Sequence, residues 1–98
     1  MKVVLTREAL ANLDHIAERI ELDNPERAIS FVEELREAAR RIADIPQGYP
    51  LVPRYERHGV RRRSYRGYGI LYRLETDRIL VLRFLGPGQD HDRALGLI

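Results

Sequence analysis

Six arginines, Arg54, Arg57, Arg61, Arg62, Arg63 and Arg66, fall within one short stretch of the chain, together with His58 and a single acid, Glu56. A guanidinium is a planar fork of donors that grips phosphate or carboxylate bidentately, so such a cluster suits contact with nucleic acid or with an acidic protein segment. The cluster cannot act as one site. If residues 60–65 form a strand, Arg61 and Arg63 point to one face and Arg62 to the other. The alternative is a solvated edge strand whose charges block edge-to-edge pairing. Arg83 is a separate case, because it interrupts an apolar run two residues before Leu85. A buried arginine must be paired, and Glu75, Asp90 or Asp92 could pair it structurally; a functional role is the other reading.

The remaining candidates are weaker. Asp90, His91 and Asp92 are metal-ligand types, but three adjacent ligands without a second cluster make no metal site. His15 and His58 have no triad partner at a recognisable spacing, and phosphate-cradling, zinc and serine-nucleophile motifs are lacking. Tyr65, Tyr68 and Tyr72 could stack on bases, although tyrosines in a hairpin more often edge a core. No catalytic residue, metal or cofactor is assigned.

These side chains must be positioned by a short series of elements. Lys2 to Leu5 reads as a first strand. Thr6 caps a helix that runs to about Glu21, with Glu8 in its first turn and Leu10, Leu13, Ala17 and Ile20 as its apolar stripe, Ile16 beside it. Asn24 and Pro25 open a second helix, whose stripe of Ala28, Val32, Leu35, Ala39 and Ile42 is widened by Phe31, Ala38 and Ile45. A link of only Leu22-Asp23-Asn24 makes the pair an antiparallel hairpin. Pro46, Gly48, Pro50 and Pro53 then force an extended connection to about Gly59. The basic strand follows, and after it a β-hairpin from Gly67 to Gly86 turning at Thr76-Asp77.

Strict alternation in that hairpin places Ile70, Tyr72 and Leu74 on one face with Ile79, Val81 and Leu85, and Leu71 on the other with Leu80, Leu82 and Phe84. Both faces are apolar, and two helices cover only one. The other needs Leu95, Leu97 and Ile98 of the tail, a second subunit or a bound partner. The expected fold class is therefore α+β, in the order β-α-α-β-β-β, with an antiparallel sheet of about four strands and the helical hairpin on one face.

Composition agrees with one domain over residues 1–98. The absence of cysteine excludes disulfides and thiolate zinc sites. The first apolar segment is too short for a signal or a membrane span, which leads to the expectation of a cytoplasmic protein with no membrane partner. Net charge is +2, but residues 1–53 carry 7 basic and 10 acidic side chains while residues 54–98 carry 10 and 5. The positive surface is regional.

The order of these elements, with Leu13 to Ile20, Asn24-Pro25-Glu26-Arg27-Ala28, Gly59-Val60-Arg61, Gly67 to Tyr72 and Leu82-Arg83-Phe84-Leu85-Gly86, resembles the RelE/ParE toxin superfamily of type II toxin–antitoxin systems. The resemblance covers essentially the whole chain. It implies one of two activities: ribosome-dependent cleavage of messenger RNA, as in RelE-like members, or poisoning of DNA gyrase, as in ParE-like members. In the ribonucleases the Gly-Tyr opening the hairpin is followed by arginine, whereas Gly67-Tyr68 is followed here by Gly69. They also carry a basic residue after the last strand and a tyrosine beyond, where this chain has Pro87-Gly88-Gln89 and Ala94-Leu95. Only Arg62 stands where a catalytic lysine is expected, and a permanently protonated arginine is a poor base. The resemblance thus implies a ParE-like toxin that stalls gyrase by contact. It further implies neutralisation by a cognate ParD-like antitoxin, of ribbon-helix-helix type, in a hetero-oligomer. The alternatives are a RelE-like ribonuclease and a non-toxic regulatory or DNA-binding relative. Surface candidates for the target are Arg61, Arg62, Arg63, Arg83 and Arg93; for the antitoxin, Leu71, Leu80, Leu82, Phe84 and Arg73.

Overall fold

A computed structural model describes residues 1–96. The chain runs β1 (Lys2–Leu5), α1 (Arg7–Glu21), α2 (Pro25–Arg40), then, after a long connection, β2 (Val60–Tyr65), β3 (Tyr68–Leu74), β4 (Arg78–Leu85) and a short α3 (His91–Leu95). Local chemistry sets the helix starts. The Thr6 hydroxyl accepts from the Ala9 N–H at 3.0 Å and donates to the Leu82 carbonyl at 2.9 Å, so one side chain caps α1 and ties it to β4. Asn24 Oδ1 accepts from the Arg27 N–H, with Pro25 at the first helical position.

Two details of the helices depart from expectation. Ala9, Leu13 and Ile16 form the buried stripe of α1, while Leu10, turned about 100° from Ala9, is largely exposed. Helix α2 tightens into a 3-10 turn at Arg41–Asp44, which still buries Ile42 but leaves Ile45 in solvent, since Pro46 disfavours helical backbone at the residue before it.

The sheet order is β1-β4-β3-β2. Strands β2, β3 and β4 are antiparallel, as expected, but β1 pairs with β4 in parallel, Val3 opposite Ile79 and Leu5 opposite Val81, so the sheet is mixed. After the helical hairpin the chain re-enters at the far edge, and the last strand comes back beside the first in the same direction. Arg66 (φ 49°) and Gly67 (φ 83°) supply the two positive φ values of the turn between β2 and β3. Leu13, Ile16, Phe31, Leu35, Ile42, Ile70, Tyr72, Ile79, Val81 and Phe84 form the core between the helices and the sheet. Each such side chain is worth about 1.5–3 kcal/mol of burial.

A bulge in β4 corrects the expected faces. Leu71 opposes Arg83 while the next residue, Tyr72, opposes Val81, so Leu82 is an extra residue and the alternation slips by one. Phe84 therefore enters the helix-side core, 1% exposed, and Leu85 turns to the second face. That face has a small core of its own: Val52, Tyr55, Val60, Leu71 and Leu85, with Leu82, Ala94 and Leu95 at its margin. Much of the cover comes from the proline-rich connection. It folds back on β2 through Val52 N–H to the Val60 carbonyl (2.8 Å) and Arg62 N–H to the Pro50 carbonyl (3.0 Å). Leu95 contributes as expected; Leu97 and Ile98 lie outside the described residues.

Candidate functional site

The arginines of β2 divide between the faces as alternation requires. On the helix side, Arg61 donates to the Tyr49 carbonyl at 2.7 Å, and Arg63 donates to the Ala38 carbonyl at 2.6 Å, near the C-terminal end of α2 where carbonyls lack helical partners. Arg63 also lies 5.4 Å from the Tyr49 ring centroid. These two guanidinium groups thus fasten the connection and α2 to the sheet, and both are only half exposed.

Arg62 occupies the second face. Its guanidinium lies across Gly69: a Cβ added to Gly69 would sit 2.6 Å from Arg62 Cζ. The missing side chain at position 69 is the space that Arg62 fills. Arg62 Nη1 approaches His91 Nε2 at 2.7 Å, and because a guanidinium can only donate, Nε2 accepts and the ring hydrogen sits on Nδ1.

Helix α3 is capped locally and is held to this face through Asp92 as well. Asp90 caps it, accepting from the Asp92 N–H. Asp92 accepts from the Tyr55 hydroxyl at 2.6 Å and from Arg54 at 3.0 Å. The hydrogen bond to Asp92 and the burial of the ring push the Tyr55 phenol up to about 12. Asp90, His91 and Asp92 therefore serve three different partners, and among the described residues no group of three such side chains is placed to hold a metal ion.

Arg83 is not paired as expected with Glu75, Asp90 or Asp92. The bulge aims it at α3, where Nε donates to the Ala94 carbonyl (3.0 Å) and Nη1 to the Leu82 carbonyl (2.8 Å), with Glu8 3.8 Å away. Glu75 instead bonds Arg78 (2.7 Å) and Arg73 (3.0 Å), and those two bonds, Arg78 first, hold its carboxyl below the usual range. Arg93 is exposed on α3 and, with Arg83, lines a groove of about 430 Å³ between α1, the end of β4 and α3.

The apolar candidates fall apart in the same way. Leu71 is fully buried in the second-face core and Phe84 in the helix-side core, so neither is a surface residue in this conformation. Leu80, Leu82 and Arg73 stay half-buried on the second face, beside Val4 of β1. The tyrosines are core and core-edge residues: Tyr72 is buried and donates to the Pro46 carbonyl, Tyr65 donates to Glu34, and Tyr68 packs 4.8 Å from Phe31 between ring centroids. The Arg27 and Tyr65 hydrogen bonds hold the Glu34 carboxyl below its ordinary range.

A family model describing the ParE toxin of the type II toxin–antitoxin system parDE matches residues 3–91. The chain belongs to this ParE toxin family. A solved structure of the chromosomal ParDE toxin–antitoxin system from P. aeruginosa is similar to it, with TM-score 0.76 and 26% identity over 89% of this chain and 96% of that one. No curated protein matches the chain at a significant level. The ParE fold is thus the fold found here, two helices against a four-stranded sheet, and no helix among the described residues is long and apolar enough to cross a membrane.

Within this ParE-family chain, the residues that sequence reasoning missed are Tyr55, Asn12 and Gln89. Asn12 Oδ1 accepts from the Phe84 N–H at 3.0 Å, satisfying a backbone donor beside the bulge, and Gln89 Oε1 accepts from the Gly86 N–H at 2.5 Å. Tyr55 stands among prolines and arginines without periodic signal, and Asn12 is one polar residue of an amphipathic helix. The only hint was Tyr55 itself, a large aromatic in a polar stretch.

Proposed function

We propose that the chain is a ParE-like toxin that inhibits DNA gyrase by contact and is neutralised by a ParD-like antitoxin of ribbon-helix-helix type. The observation that carries this reading is position 69 within a ParE-family fold. A ribonuclease of this superfamily needs a cation and proton-transfer groups about the scissile phosphate. Here position 69 has no side chain, and the nearest cation, Arg62, is folded over it and bonded to His91. His91 Nε2 already accepts from Arg62, so its lone pair is turned to that guanidinium and away from a substrate hydroxyl. Inhibition by binding asks for none of these groups.

The strip of Val4, Leu80 and Leu82 on the second face, with Arg73 beside it, supports an antitoxin contact, as its apolar side chains remain only partly buried. Such a strip fits an amphipathic or extended segment whose acids pair with the flanking arginines. Expression of the chain alone in a gyrase-sensitive bacterium tests the proposal. Double-strand breaks and an SOS response with intact message are expected, and co-expression of a ParD-like antitoxin restores growth. Message cut at ribosomal positions would replace this reading with the ribonuclease one; harmless growth would leave the regulatory one.

A further inference from the structure

The groove between α1, the end of β4 and α3 is lined by the donor-bearing side chains of Asn12, Arg83, Gln89 and Arg93. Asn12 gives its oxygen to the Phe84 N–H and Gln89 gives its oxygen to the Gly86 N–H. A backbone N–H needs an oxygen, so both carboxamides are fixed with their NH2 groups left for the groove. Arg83 spends Nε and Nη1 on carbonyls, and Nη2 takes no partner among the described residues. Arg93, which also lines the groove, forms no ion pair among the described residues. Four donor groups thus line one groove. The acids in reach are Glu8, 3.8 Å from Arg83, and Asp90, one oxygen of which caps α3. Ala94, partly exposed over the buried Leu85, adds apolar surface.

We infer that this groove binds a carboxylate carried by an acidic peptide segment of a partner protein, with an aliphatic side chain next to it seated on Ala94. Charge-assisted bonds from paired guanidinium and amide donors are the chemistry that recognises such a group. Nucleic acid fits less well. It needs a run of phosphate contacts, whereas Arg61 and Arg63 are bonded to backbone carbonyls and Arg62 to His91, and Glu8 and Asp90 flank the groove. The groove takes this segment whether or not the chain acts on gyrase.

The test is an NMR titration of the full-length, isotope-labelled chain near neutral pH, following the side-chain NH2 signals of Asn12 and Gln89. The probe is the capped dipeptide acetyl-Glu-Leu-amide, with acetyl-Gln-Leu-amide, inorganic phosphate and a short DNA duplex as separate arms. Saturable shifts with the Glu peptide and not the Gln peptide are expected, and Arg93→Gln, an exposed change that leaves the fold intact, weakens them about tenfold. Equal shifts from the Gln peptide, or none from the Glu peptide, overturn the assignment. Shifts from phosphate or DNA with none from the Glu peptide also overturn it, in favour of a phosphate site.

Discussion

Gly69 and Arg62 act as one unit: the guanidinium of one occupies the volume the other leaves empty. Gly69→Ala is compatible with the backbone there but pushes Arg62 away from His91. The atoms in the way are the far end of a flexible side chain, so the expected loss is about 1 kcal/mol or less, read as a denaturant midpoint. A loss of several kcal/mol would mean that the Arg62–His91 contact holds far more than one end of α3. Tyr55 offers a second test at this scale. With its phenol raised from 10 to about 12, the folded chain holds that proton where the unfolded chain releases it. The stability this confers is complete below pH ~10 and is lost as pH rises toward ~12. Spectrophotometric titration of the phenolates should show Tyr55 ionising last, with buried Tyr72, also held near 12, and Tyr55→Phe should flatten the alkaline stability loss.

At the scale of elements, the helices and the hairpin were legible because their signals are local. Thr6, Asn24 and Pro25 mark helix starts through bonds made within three residues, and the Thr76-Asp77 turn closes through Glu75 N–H to the Arg78 carbonyl at 2.8 Å. The bulge at Leu82 was not legible. One extra residue in β4 leaves composition and pattern unchanged yet exchanges the faces of Phe84 and Leu85 and redirects Arg83. The parallel partner of β1 was hidden for a similar reason, since a strand of four residues, Lys2 and three apolar ones, carries no record of direction. Two substitutions probe these devices. Asn12→Ala strips the Phe84 N–H of its acceptor, with an expected cost of about 1–3 kcal/mol in chemical denaturation. Asp92→Ala removes the acceptor shared by Tyr55 and Arg54. Amide exchange in α3 should then rise markedly while α1 and α2 keep their protection; unchanged exchange in α3 would show that the Arg62–His91 and Arg83–Ala94 bonds and the packing of Leu95 hold it without Asp92.

Over the whole molecule, the charge asymmetry resolves into two uses of arginine. Part of the basic surplus is internal bracing, as Arg61 and Arg63 show, and another part, Arg83 and Arg93, lines the groove at the α3 end. The candidate site was legible as a region and not as a residue list: sequence alone found the basic strand, Gly69 and the uncovered face, but the carbonyls that consume Arg61 and Arg63 belong to distant segments. Direct contact with gyrase is the central claim for the molecule, and purified chain added to gyrase, ATP and supercoiled plasmid tests it most directly. Linearised plasmid is expected, dependent on both gyrase and the chain and abolished by prior addition of a ParD-like antitoxin. Plasmid that stays uncut and normally supercoiled at saturating chain would contradict it.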